Sequence, residues 1–302
     1  MEGRIFIDTA LCNGCGLCVA VCPYRVISFQ DRVAEYSGQP CFLCGHCRAV
    51  CPQHAVRVDG LPTILGLQMV AEREQCLPPG PDMAEEVVAL MRSRRSCRNY
   101  KPDAVTPAIL EDLARIGTTA PSGTNSQGWN FIILSERRDL LALGGLCADF
   151  FRRLNRLAAS PPLRLLSRIF AGDALGRYHR QHRESVAEAL KEWDEEGRDL
   201  LFHGATAAIL VTGRKDASCP AEDALLATAN ILLAAQAMGL GTCLIGYAVE
   251  AIARSGAIRR SLQLPADERV YSVIALGHPA LGFARPAGRR PIRPRVVNLA
   301  GQ

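Results

Sequence analysis

Long apolar runs are missing from this chain of 302 residues. The longest, Ala224 to Ala235, contains Thr228 and Asn230 and is followed by Gln236, so it is too short and too polar to cross a bilayer. The opening MEGRIFIDTA has no basic segment leading into an apolar one and no twin-arginine leader, from which a cytoplasmic location is expected. No GxGxxG follows a strand-like run, so the usual dinucleotide fingerprint is missing. Cysteine is scarce over most of the chain: of 13, only five lie beyond residue 60. With 48 % hydrophobic and 22 % charged residues the chain has an ordinary globular composition, and its length suggests two or three domains.

The other eight cysteines fall in two segments of identical spacing, CNGCGLCVAVCP from Cys12 to Pro23 and CFLCGHCRAVCP from Cys41 to Pro52. Three cysteines at i, i+3 and i+6, then a fourth followed by proline, match the bacterial iron–sulfur run, whose fourth cysteine ligates the other cluster. Cys12, Cys15, Cys18 and Cys51 are therefore assigned to one [4Fe–4S] cluster, and Cys41, Cys44, Cys47 and Cys22 to a second. Zinc usually takes paired CxxC knuckles, and a disulfide framework would need a secreted chain. Gly14, Gly16 and Gly45 permit left-handed turns that wrap backbone amides around a cluster. Residues 1–60 resemble the two-cluster bacterial ferredoxin family. GRIFID and AVRVDG read as short strands at the two ends, and RVISFQDRVAEY as a hairpin between the cassettes. So small a module needs its clusters as staples.

Residues 61–82 change character and end in LPPGPD, a stiff junction. Cys76, within it, is read as incidental. In MAEEVVALMRSRRSCRNYKPDAVTP, Met83, Val87, Leu90 and Met91 share a helical face, and Thr106 with Pro107 begins the next helix. Arg92, Arg94, Arg95 and Arg98 crowd one turn, either as solvated charge or as a bidentate phosphate site. APSGTNSQGWNFIIL is a polar loop feeding a strand. GATAAILVTG, AEDALLATANILLAAQAMGLGTCLIGY and YSVIALGHPALGFARPAGRRPIRP alternate strand and helix patterns, which argues for an α+β or α/β layer around a sheet.

Together these segments resemble the nitroreductase family of FMN-dependent oxidoreductases over nearly all of residues 83–302. The resemblance implies an α+β fold and a turn, here Arg94, Arg95, Ser96 and Arg98, holding the flavin phosphate and ribityl chain, with Arg98 also near the N1/O2 edge. It implies that a loop, here Pro121, Ser122, Gly123, Asn125 and Gln127, contacts the isoalloxazine across a dimer interface. Gly123 stands where the family has serine and Gly128 where it commonly has proline, so a more flexible loop is expected. Backbone groups of Leu244, Ile245 and Gly246 would approach flavin N5, and Arg289 and Arg290 would close over the phosphate. An obligate homodimer is implied, with EDALLATANILLAAQAMG buried between subunits; such a helix could instead be a monomer's central core helix, but the dimer is preferred because the flavin site needs it.

Residues 147–203 read as two helices covering the open face of the flavin, one with Leu163, Leu166 and Phe170 on a stripe, the other with Val186, Ala189, Leu190 and Trp193. Arg152, Arg153, Arg156, Arg164 and Arg168 read as the solvated face of this lid rather than as a membrane surface. Tyr178, His179 and His182 are candidate proton donors or else surface residues. Two oxidised clusters and a flavin phosphate bring the formal charge of +5 to about −1, which removes the case for a nucleic-acid partner.

The expected activity is that of a flavoenzyme fed single electrons through its own clusters from a ferredoxin or other low-potential donor. It would reduce a nitroaromatic, quinone or activated alkene by hydride transfer from N5. Three alternatives stay open: an NAD(P)H-dependent nitroreductase using the clusters as an outlet, an electron-transfer hub or redox sensor, and a reductive dehalogenase. The family binds nicotinamide without the GxGxxG fingerprint, and no halide site is recognisable in the sequence.

Overall fold

The computed structural model describes residues 4–299, so Gly3 of the first expected strand and the outermost ends of both expected domains lie outside it. In the N-terminal module β1 (Ile5–Ile7) pairs antiparallel with β4 (Val56–Val58), joining its two ends. The expected hairpin is β2 (Ile27–Gln30) with β3 (Val33–Tyr36), turning through Asp31 and Arg32, both at positive φ, as the strand twist requires. Each cassette runs into a short helix, α1 (Leu17–Val21) and α2 (His46–Ala49), by way of Gly16 at φ 81° and Gly45 at φ 72°. Side chains rarely adopt that backbone, so glycine is dictated at both positions. The core comprises Ile5, Val26, Ile27, Ala34, Val56 and Val58 together with Cys18 and Cys47. Cluster ligands and core are thus one layer.

The junction is held by carboxylates rather than by its prolines. Glu72 accepts the amides of Leu65 and Leu67 at 2.5 and 2.7 Å, and the fully buried Asp112 of α4 (Pro107–Gly117) accepts those of Gln68 and Met69 at 2.9 and 2.7 Å.

The second domain is built on a four-stranded antiparallel sheet in the order β5 (Trp129–Leu134), β6 (Ala207–Arg214), β8 (Glu268–Gly277), β7 (Gly241–Leu244). Alternate residues of β6 and β8 point to opposite faces. Ile209 and Ile274 pack with Leu110, Leu113 and Ile231 under α4 and α9 (Pro220–Ala237). Leu210 and Val273 pack with Leu140, Phe202 and Ile252 under α5 (Arg137–Ala159) and α10 (Gly246–Arg254), which α11 (Gly256–Ser261) follows. Covered on both sides, β6 reads as a continuous apolar run. The α+β expectation holds.

Two helices leave apolar faces bare in the single chain. No residue of α3 (Pro81–Ser93) is buried, and Met83, Val87 and Met91 are exposed. On α9 the core side carries Ala224, Ala227 and Ile231, while Leu225 and Leu226 face outward. The expected two-helix lid is instead the end of α5 followed by α6 (Pro161–Phe170), α7 (Ala174–Gln181) and α8 (Arg183–Glu196). Gly172 and Asp173, both at positive φ, make the break that the sequence pattern does not reveal. Among the described residues no helix is long and apolar enough to cross a membrane.

Candidate functional site

Two small cavities divide the cassette cysteines, and their membership is crossed. Cys22, Cys41, Cys44 and Cys47 line one, with Ile5, Tyr24, Phe42 and Val58. Cys12, Cys15, Cys18 and Cys51 line the other, with Ile7, Phe29 and Ala34. Burial pushes the Cys47 thiol up to about 11 and also raises Cys18, so iron, which binds thiolates, must displace protons held there. Four thiols in an apolar pocket fit a cubane that takes one thiolate per iron.

A cleft of 1210 Å³ opens between β7, α10 and the lid helices. Of the residues selected from the sequence, it brings together Arg98, Leu244, Ile245 and Gly246 with Leu163, Leu166, Phe170, Tyr178 and His182; His179 is not in its wall. A bridge between Ser96 and Thr242, with the Cys97 amide donating to the Thr242 carbonyl at 2.8 Å, holds the arginine turn against β7. Burial raises the Cys243 thiol, while Arg98 and Arg94 pull it back down; Arg98 and Cys243 both line the cleft. Burial and then Arg98 keep His203, also in the wall, below its ordinary value. Among the described residues no carboxylate lies within 4.0 Å of Arg94, Arg95 or Arg98. Unpaired guanidinium groups clustered beside a cleft suit a phosphate.

Several wall residues are not marked by any sequence motif. The Tyr247 hydroxyl lies 3.3 Å from His182 Nδ1, and Phe151 packs edge-on against the Tyr247 ring at 5.5 Å. The Tyr178 hydroxyl donates to Asn155 Oδ1 at 2.7 Å, and burial pushes Tyr178 up to about 12. The only sequence signal for Tyr247 is its place directly after Gly246. The stripe of Val186, Ala189, Leu190 and Trp193 lines a separate 210 Å³ cavity against α5, so it packs the lid onto the domain rather than covering the cleft.

The loop containing Pro121, Ser122, Gly123, Asn125 and Gln127 does not line the cleft of its own chain. It is also tightly held, contrary to the flexibility expected of its glycines. Buried Asp223 accepts the Gly123 amide at 2.9 Å and the Ser126 hydroxyl at 3.2 Å, and the Gln127 amide donates to Ser122 Oγ at 3.0 Å. A Cβ at position 123 would stand 2.9 Å from Cys219 Sγ, so glycine here answers a steric demand. The side chain of Asn125 turns to the other module: its Nδ2 donates to the carbonyls of Phe42 and Leu43 at 3.0 and 2.9 Å. Arg289 and Arg290 lie on the exposed tail after β8, outside the cleft.

A model of the nitroreductase family matches residues 91–278, and one of the 4Fe-4S dicluster domain matches residues 11–55. Curated relatives include an NADH dehydrogenase of Thermus thermophilus, 26 % identical over 206 residues and covering 68 % of this chain and 91 % of that protein. An iodotyrosine deiodinase of Danio rerio is 24 % identical over 208 residues, and the match spans 66 % of this chain and 62 % of the deiodinase. Among solved structures, a nitroreductase with bound FMN from Desulfitobacterium hafniense has a TM-score of 0.52 at 21 % identity, covering 70 % of this chain and 98 % of that one. That likeness is one of fold.

Proposed function

Because the chain belongs to the nitroreductase family and carries a 4Fe-4S dicluster domain, we propose that it is a cytoplasmic FMN oxidoreductase that draws single electrons through its own clusters from a ferredoxin or similar low-potential donor and reduces a small organic acceptor. The observation that carries this reading is the unpaired arginine turn pinned beside the cleft, in a chain that also holds two four-thiol cavities. Bound FMN supplies the exchange between one-electron and two-electron chemistry, with N5 as its hydride-donating atom.

Arg94 and Arg98 would hold the phosphate, with Arg95 and Ser96 in the same turn, and the backbone of Leu244, Ile245 and Gly246 would present its edge to the flavin ring. Leu163, Leu166 and Phe170 give the cleft wall an apolar surface for a nitroaromatic, quinone or activated alkene. The pair of His182 and Tyr247 is placed to hold a proton for the acceptor. Pro121, Ser122, Gln127, Arg289 and Arg290 lie away from the cleft of their own chain, so a second copy is needed to bring them to it. The bare apolar faces of α3 and α9 support that homodimer.

Two other readings have specific support. The Thermus relative, an NADH dehydrogenase, favours NADH as donor, and the Danio relative, an iodotyrosine deiodinase, favours removal of a halogen from an aromatic ring, the reductive dehalogenase alternative. Anaerobic stopped-flow mixing with reduced ferredoxin or NAD(P)H separates the donors. Cluster bleaching before flavin bleaching, with NAD(P)H inert, is the expected result. Fast direct flavin reduction by NAD(P)H, with the clusters responding later, would refute it.

A further inference from the structure

The two carbonyls that accept from Asn125 lie between Cys41 and Cys44, and Phe42 also lines the cavity shared by Cys22, Cys41, Cys44 and Cys47. Tyr24, in the same wall, packs edge-on against Phe42 with ring centroids 4.6 Å apart. Leu43 adopts a positive φ of 59°, which in a branched side chain persists only where the surroundings hold it, while Asn125, at 53°, is a residue that tolerates that region. The contact is therefore built from both sides, on a loop that Asp223 anchors to α9. In the other cavity Cys15 is exposed, and the neighbouring Leu11 and Leu17 along the chain are exposed as well.

The loop that carries this contact stands apart from the cleft of its own chain. Resting on the dimeric FMN site proposed above, we propose that each cluster module serves the flavin held by the partner subunit. Electrons enter at the cluster of Cys12, Cys15, Cys18 and Cys51, pass to that of Cys22, Cys41, Cys44 and Cys47, and cross the Asn125 contact. They arrive at the FMN whose phosphate is held by the partner subunit's Arg94 and the partner subunit's Arg98. Two molecules of reduced ferredoxin are oxidised by one electron each, and the flavin takes up both electrons with one proton from solvent. Asn125 is a positioning residue in this route.

Hybrid dimers test it. One subunit carries Arg94→Ala and Arg98→Ala with an intact module, and the other carries Cys44→Ala with intact arginines. The first homodimer lacks FMN, and the second keeps FMN that reduced ferredoxin reaches only slowly. The hybrid should reduce its one flavin at the wild-type rate per bound FMN. A hybrid no faster than the Cys44→Ala homodimer, beside an active wild type, overturns the crossed route alone. A wild type no faster than the Cys44→Ala homodimer sinks the cluster-fed reading and this route with it. Independently, Asn125→Asp sets a carboxylate against the Phe42 and Leu43 carbonyls. It should lower the midpoint potential of the inner cluster but not of the outer one, and slow ferredoxin-driven flavin reduction by about tenfold. Unchanged potentials and rate would overturn the proposal.

Discussion

Replacing Gly123 by the serine common in the family should destabilise this protein, and Cys219→Ala should relieve most of the damage. The new Cβ would stand 2.9 Å from Cys219 Sγ, 3.1 Å from Cys219 Cβ and 3.2 Å from the Ser218 Cβ. Cys219 cannot easily retreat, because it precedes Pro220 at the first turn of α9, where the backbone is fixed. Overpacking of this kind costs about 1–3 kcal/mol. The upper end applies if the shift also breaks the bond from the Gly123 amide to Asp223, since a hydrogen bond to a buried charge is worth about 1.5–3 kcal/mol. Removing Sγ leaves only the two milder contacts, so the double variant should recover about 1 kcal/mol or more as a coupling term. Urea unfolding followed by tryptophan fluorescence suits the measurement, because Trp129 and Trp193 are the only tryptophans and both belong to the flavin domain. FMN content of the folded variants reports the loop's effect on the site. A Gly123→Ser variant within about 0.5 kcal/mol of wild type, or a double variant no better than the single, would refute the steric account.

Cys22→Ala should cost the cluster of Cys41, Cys44 and Cys47, and Cys51→Ala that of Cys12, Cys15 and Cys18; iron analysis with EPR would expose an uncrossed pattern. Arg94→Ala with Arg98→Ala should empty the flavin site while leaving iron–sulfur absorbance intact, and stoichiometric FMN in that variant would remove the phosphate assignment. The folded value of His203 lies below the ordinary 6.5, so the unfolded chain takes up the proton first. Flavin-free protein should therefore be most stable above pH 6.5 and lose stability as the pH falls from there toward the folded value. Urea midpoints between about pH 7.5 and 5.5 should show this slope, and His203→Gln should flatten it; equal slopes in the two proteins would dismiss His203 as the cause.

Features set by neighbours along the chain are legible in the sequence itself. The cavities group the cysteines as their spacing does, the left-handed turns into α1 and α2 coincide with Gly16 and Gly45, and the unbroken apolar run of β6 marks a strand covered on both faces. Each of these depends on local backbone geometry or on burial periodicity, which sequence order carries directly. Tertiary structure alone decided that Asn125 reaches Phe42 and Leu43, that Asp223 stiffens a loop rich in glycine, and that Tyr247 meets His182. Those pairings join side chains from distant segments, and periodicity says which face a residue takes but not which segment will lie opposite it. The proposed electron path rests on that packing, because Asn125, which links the two modules, sits in a motif whose family resemblance points to the flavin alone.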